Sequence, residues 1–101
     1  NLVDFEMDIY WVIAAGEDPI AWFDKHPGRF KYCHVKDYMS LPENKFESCT
    51  LGTGSIDYPS ILSYGTSKGL VNLIVEQEAY TGTTQFDSAK DNFNYMSSLK
   101  I

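Results

Sequence analysis

The chain has 101 residues, of which 44% are hydrophobic and 15% aromatic, with a formal net charge of −6. That length supports one small core and leaves little room for a second domain. Eight scattered Lys and Arg residues against fourteen Asp and Glu exclude a nucleic-acid surface, which needs clustered cations. No segment approaches the roughly 20 consecutive apolar residues of a membrane span. Cys33 and Cys49 fit no CxxC metal or redox spacing and no signal peptide precedes them, so two reduced thiols in a soluble, cytoplasmic protein are expected. The opening residues, NLVDFEMD, begin without Met and enter directly into strand-like sequence, which suggests a fragment or a processed chain.

In chain order, VDFEMDI alternates Val3, Phe5, Met7 and Ile9 with Asp4, Glu6 and Asp8, the period-2 pattern of a strand with two unlike faces. GEDPIAWFDKHPG predicts a helix, with Asp18 as N-cap, Pro19 in its first turn, Ile20, Trp22 and Phe23 on its apolar face, and a Pro27-Gly28 stop. RFKYCHVK is a second strand. Residues 37 to about 56 read as a long polar loop carrying Pro42 and the glycines of LGTGSID. Asp57 then caps a helix through YPSILSYGTSKG, with Gly69 as its stop, and LVNLIVEQE is a third, nearly continuous apolar strand. The last helix, FDSAKDNFNYMSSLKI, repeats Phe86, Ala89, Phe93, Met96 and Leu99 at three- and four-residue spacing.

This order, β-α-β-α-β-α, predicts an α/β fold of three parallel βα units joined by crossovers. An eightfold barrel needs about 250 residues, so the chain supplies at most three-eighths of one; an open three-stranded sheet is the geometric alternative. Ligands of parallel α/β folds bind at the carboxyl ends of the strands. There stand Asp8, His34 and Glu76. Alternation puts the three on one face, with Phe5, Met7, Cys33, Val35, Leu73 and Val75 on the other. Two carboxylates and an imidazole form a hard O/N donor set suited to Mn²⁺ or Mg²⁺ and tolerated by Zn²⁺ or Co²⁺.

FEMDIYW, AAGEDPIAWFDKHPGRFKYCHVKD, LGTGSIDYPSIL and LIVEQE, in that order, resemble the C-terminal third of the xylose isomerase-like TIM barrels, the sugar phosphate isomerases and epimerases. The resemblance covers essentially the whole chain. It implies that residues 1–101 are the C-terminal portion of a single (β/α)8 barrel domain, with the strands as its sixth, seventh and eighth. It further implies a divalent metal held by Glu, Asp, His and Glu, the last three being Asp8, His34 and Glu76. The first glutamate would lie on an earlier strand outside this sequence. By the same resemblance Glu76 is both ligand and catalytic acid/base in proton transfer next to a carbonyl, paired with the absent glutamate. Many relatives carry a histidine where this chain has Trp11, so a different pocket wall is expected there.

Other residues have two readings. Lys36 shares the parity of His34 and could hold a substrate oxygen or phosphate, or form a salt bridge with Glu6 or Asp37; Trp11 could stack on a sugar face or serve as core. The LGTGSID glycines could approach a phosphate or simply form a tight loop, and Asp37 could cap that loop. His26 is expected on the surface, and Glu78 and Tyr80 could line the pocket. The expected ligand is a small sugar or sugar phosphate. A non-catalytic fragment or carbohydrate- or metal-binding module, and a polyol dehydratase or lyase, are the alternatives. Cut to three strands, the sheet is expected to self-associate or to pair with missing barrel strands.

Overall fold

The structure is a computed structural model and describes residues 2–101. Three parallel strands form the central sheet: β1 (Phe5–Asp8), β2 (Phe30–Val35) and β5 (Asn72–Val75), in the spatial order β1-β2-β5. Asp8 lies opposite His34, His34 opposite Ile74, and Val35 opposite Val75. This register puts Glu76 one residue beyond the level of Val35 and two beyond that of Asp8 and His34, at the same end of the sheet.

The alternation of side chains divides the sheet as expected at its centre, whereas Phe5 and Val75 on the two edge strands, expected on the packed face, are exposed. Met7, Cys33 and Val35 are buried against the helices together with Phe23, Tyr58 and Leu62. Glu6, Tyr32, Asn72 and Ile74 face the other way and are exposed, so the sheet has one packed face and one open face. A one-residue slip would exchange the two sets, and the burial of Cys33 and Val35 therefore fixes which polar groups reach the open side.

Local sequence sets the helices. Asp18 accepts from the Ile20 amide and starts α2 (Pro19–Lys25); Asp57 accepts from Ser60 and starts α3 (Tyr58–Ser67); Thr84 accepts from Asp87 and starts α4 (Gln85–Ser98). Side-chain caps of this kind contribute about 1 kcal/mol each. The first strand stops earlier than its alternation suggests: Ile9–Ala14 forms α1, because Asp8 turns its carboxylate onto the Trp11 amide and caps a new helix. His26, expected to be solvated, stacks on Trp22 and meets the edge of Phe30.

Residues 37 to 56 are not a loop throughout. They contain an antiparallel hairpin, β3 (Asp37–Leu41) and β4 (Lys45–Cys49), joined by a 3₁₀ turn at Pro42–Asn44 in which Glu43 and Asn44 have positive φ. Across it the diagonal pair Tyr38 and Phe46 meet edge to face, with ring centres 4.8 Å apart.

The final helix has the expected period but a different buried face. Ser88 and Asn92 face inward, where Asn92 accepts from the Leu51 amide at 2.8 Å and donates to Gln77 at 3.0 Å. Phe86 and Phe93 are instead 78% and 71% exposed. Phe93, Ala89 and Met96 line a groove of about 370 Å³ along β5 with Val75 and Tyr80. Among the described residues no helix is long and apolar enough to cross a membrane.

Candidate functional site

At the carboxyl end of the sheet, Asp8, His34 and Glu76 each offer one ligand-type atom, and these atoms lie within 4.8 Å of one another. The His34 Nδ1 is 3.3 Å from Asp8 Oδ2 and 3.3 Å from Glu76 Oε2; its Nε2 is 3.4 Å from Glu6 Oε1. The second oxygen of Asp8 accepts from the Trp11 amide at 3.1 Å, so the cap that starts α1 also aims this carboxylate.

Lys36 is 1% exposed and reaches into the same cluster. Its ammonium lies 2.6 Å from Glu76 Oε1, 2.7 Å from Glu78 Oε1 and 3.1 Å from Asp8 Oδ2, with the Tyr10 and Trp11 rings 5.2 and 5.7 Å away. These partners replace the Glu6 or Asp37 pairing suggested by the sequence. Burial alone would lower the lysine pKa, but the hydrogen bonds of Glu76, Glu78 and Asp8 outweigh it and push the pKa up. The Lys36 hydrogen bond also holds the Glu76 carboxyl below its usual range, opposed by partial burial and assisted by Glu78. Both groups are charged near neutral pH.

The supports of this cluster come from residues with no obvious signal in the sequence. β2 ends at Val35 and the chain departs into the hairpin at Asp37, leaving the Lys36 backbone without a strand partner. The Tyr58 hydroxyl takes that place: it accepts from the Lys36 amide at 2.8 Å and donates to the Lys36 carbonyl at 2.6 Å. On the other side, Ser48 of β4 accepts from the Glu78 and Ala79 amides at 2.8 and 2.9 Å, fixing the segment that follows β5. Tyr80 donates its hydroxyl to the Gln77 carbonyl and turns to the β5 groove, away from the carboxylates. Trp11 is 53% exposed beside the cluster.

Asp37 is fully buried and caps the glycine loop. Its carboxylate accepts from the amides of Tyr38, Gly52, Gly54 and Ile56 at 2.9 to 3.1 Å. Of the two readings of LGTGSID, the tight loop is the one the hydrogen bonds display.

A mixed α/β unit with a three-stranded parallel sheet and polar groups gathered at the strand ends defines the class of fold. The unit is similar to part of a sugar phosphate isomerase/epimerase from Parabacteroides distasonis, known from a crystal structure at 1.70 Å resolution, with a TM-score of 0.75 and 29% identity. The likeness covers 95% of this chain and 30% of that one, so the chain spans less than a third of the length of the protein it matches. No protein-family model matches the chain, and no curated protein does.

Proposed function

We propose that this chain supplies the last three βα units of a TIM-barrel sugar or sugar phosphate isomerase/epimerase of the xylose isomerase-like type, and that Asp8, His34 and Glu76 are three of its four metal ligands. The observation that carries the reading is the convergence of these side chains from three adjacent parallel strands within 4.8 Å. An ion with bonds of about 2.1 Å holds neighbouring donors about 3 Å apart, close to the 3.3 Å that separates His34 Nδ1 from Asp8 Oδ2 and from Glu76 Oε2. The donor set fits Mn²⁺, Mg²⁺, Co²⁺ or Zn²⁺. Lys36 holds Oε1 of Glu76 and leaves Oε2 facing the imidazole, whereas it shares Oδ2 of Asp8 with His34.

A divalent ion bound there would polarise the substrate's carbonyl and acidify the neighbouring C–H. Glu76 is the resident base. Lys36 keeps it ionised and fixes its orientation, so the carboxylate is ready to take that proton and return it. The Trp11 amide and Lys36 aim Asp8, and His34 is steadied between Glu6, Asp8 and Glu76. The Trp11 indole offers a half-exposed face on which a sugar can stack, and Lys36 can hold a substrate oxygen by releasing Glu78, the most exposed of its partners. The second proton-transferring carboxylate belongs to an earlier strand.

In the complete protein, His34→Ala and Glu76→Gln are expected to abolish epimerisation while leaving the fold intact, with metal content falling in the histidine variant. Near-normal turnover in both ends the assignment. By itself the 101-residue chain is expected to bind Mn²⁺ weakly and to exchange no proton next to a ketose carbonyl.

One observation favours a second reading, a module that binds carbohydrate without catalysis. The ammonium of Lys36 already neutralises two of the three candidate ligands. Sugar binding by the complete protein with no Mn²⁺ uptake and no proton exchange would select it. Loss of water from a polyol, in place of epimerisation, would mark the dehydratase or lyase variant of the same chemistry.

A further inference from the structure

We infer that Glu6 is a positioning residue of the metal site: its carboxylate, set against Nε2 of His34, keeps the ring proton on that nitrogen and leaves Nδ1 as the atom that binds the ion. The inference deepens the function proposed above and rests on it.

Strand geometry brings the side chains together. Alternation along β1 puts Glu6 and Asp8 on the same, open face of the sheet. The register sets Asp8 opposite His34 and Glu6 two residues earlier, opposite Tyr32, so both acids reach the one imidazole. They take different nitrogens. Asp8 Oδ2 and Glu76 Oε2 each lie 3.3 Å from Nδ1, whereas Glu6 Oε1 lies 3.4 Å from Nε2.

This division separates ligands from support. The two nitrogens of an imidazole point in divergent directions, so an ion on Nδ1 is shared with Asp8 and Glu76 and lies out of reach of a carboxylate on Nε2. The side chains whose donor atoms lie within 4.8 Å of one another are accordingly Asp8, His34 and Glu76, and Glu6 is not among them. A neutral imidazole has a lone pair on one nitrogen and a proton on the other, and the partner of the second decides which is free to ligate. Between two carboxylate oxygens, Nδ1 sits where a positive charge is favoured, a proton or a metal ion in its place. A carboxylate facing Nε2 accepts from the N–H there and makes the ring a stronger ligand.

The lysine contacts point the same way. Among the described residues, the Lys36 ammonium pairs with Asp8, Glu76 and Glu78, and Glu6 pairs with His34. Glu6 is thus the acid of the cluster whose charge the lysine leaves to the imidazole. Its side chain is 44% exposed, which gives it room to close the 3.4 Å contact to a shorter hydrogen bond when an ion draws electron density from the ring.

Metal binding by the complete protein tests this, with Mn²⁺ for affinity by calorimetry and Zn²⁺ for nitrogen NMR of the His34 ring. The Zn²⁺-loaded parent is expected to show ligation through Nδ1 and a proton on Nε2. Glu6→Ala is expected to bind Mn²⁺ about 10- to 100-fold more weakly, as loss of a carboxylate behind a metal-binding histidine does. Glu6→Gln loses the charge but keeps an acceptor oxygen, and its affinity is expected to fall between those of the parent and Glu6→Ala. Ligation through Nε2 overturns the inference, as does an unchanged affinity in either variant. Equal losses in the two variants also overturn it, because Glu6 would then act as a bare charge. If Glu6→Ala fails to fold, the ligating nitrogen of the parent and the loss in Glu6→Gln decide. A parent that takes up no metal removes the function proposed above and this inference with it; uptake that is indifferent to Glu6 removes this inference alone.

Discussion

The amide of Gly54 lies 3.0 Å from the Asp37 carboxylate, and a Cβ built on this glycine would stand 2.2 Å from the Tyr38 carbonyl oxygen. Backbone, rather than the end of a flexible side chain, is what blocks it. Gly54→Ala must therefore push the loop off the hairpin, and a loss of about 3 kcal/mol is expected from such overpacking, read by chemical denaturation. A variant as stable as the parent would show that the loop has room to relax.

Asp37→Ala should be worse. It leaves the amides of Tyr38, Gly52, Gly54 and Ile56 without their acceptor. Each unsatisfied buried group costs about 1–3 kcal/mol, and a small domain has only about 5–15 kcal/mol in total. The chain is expected to be largely unfolded by circular dichroism, with Asp37→Asn between it and the parent because one acceptor oxygen survives.

Acid stability has a local contributor on the helical side. The Tyr64 hydroxyl donates to Asp24, and this bond, ahead of the nearby Lys68, lowers the Asp24 pKa against a small opposing effect of burial. A carboxyl depressed in the folded state stabilises the fold above its ordinary value of about 3.9 and loses that contribution as pH falls through the lowered pKa. Tyr64→Phe is expected to move the Asp24 titration upward, observed by carboxyl NMR. An unchanged titration would mean the hydroxyl points elsewhere in solution.

Both cysteines are free and buried, and burial pushes the Cys33 thiol up to about 12 and raises that of Cys49 as well. Thiolate is the reactive form, so neither should react with a disulfide reagent in the native protein. Labelling is expected to follow the global unfolding rate. Fast labelling in native buffer would reveal local opening at β2 or β4.

The sheet has two open edges flanked by apolar grooves. One lies beside β1, with a volume of about 450 Å³ lined by Trp11, Val12, Trp22 and Phe30; the other lies beside β5, against Val75 and Phe93. Unpaired parallel edges of this kind recruit further strands. Light scattering on the 101-residue chain is expected to report a mass above the monomer's, reduced by Val75→Lys or Phe93→Asp. A monodisperse monomer would contradict it.

The strand order and the shared face of Asp8, His34 and Glu76 were legible because side chains alternate strictly along a strand, and the buried Met7, Cys33 and Val35 fix the phase. The helix starts were legible from Asp18, Asp57 and their prolines. The hairpin was not: Pro42 and a run of polar residues resemble loop composition, and the pairing of Asp37 with Cys49 is a long-range fact. Nor was α1, since IYWVIA has strong β propensity, yet forms a helix capped by Asp8. The role of Tyr58 was equally hidden, because its hydroxyl meets Lys36 across 22 residues of sequence. The face of α4 was misread for a related reason: periodicity reports which residues share a stripe, whereas Ser88 and Asn92 dock through partners on other elements.

The hairpin turn at Pro42–Asn44 is exposed, and its one salt bridge, Lys45 to Glu43, is a surface pair at 3.7 Å. Such a tip tolerates insertion where a rigid strand would not. The root of the same hairpin is different: Asp37 braces the glycine loop and Ser48 holds the segment carrying Glu78. A fluorophore or affinity tag spliced between Glu43 and Asn44 would therefore ride on a lever anchored beside the carboxylates. It would report motion at the strand ends while leaving every group there unmodified.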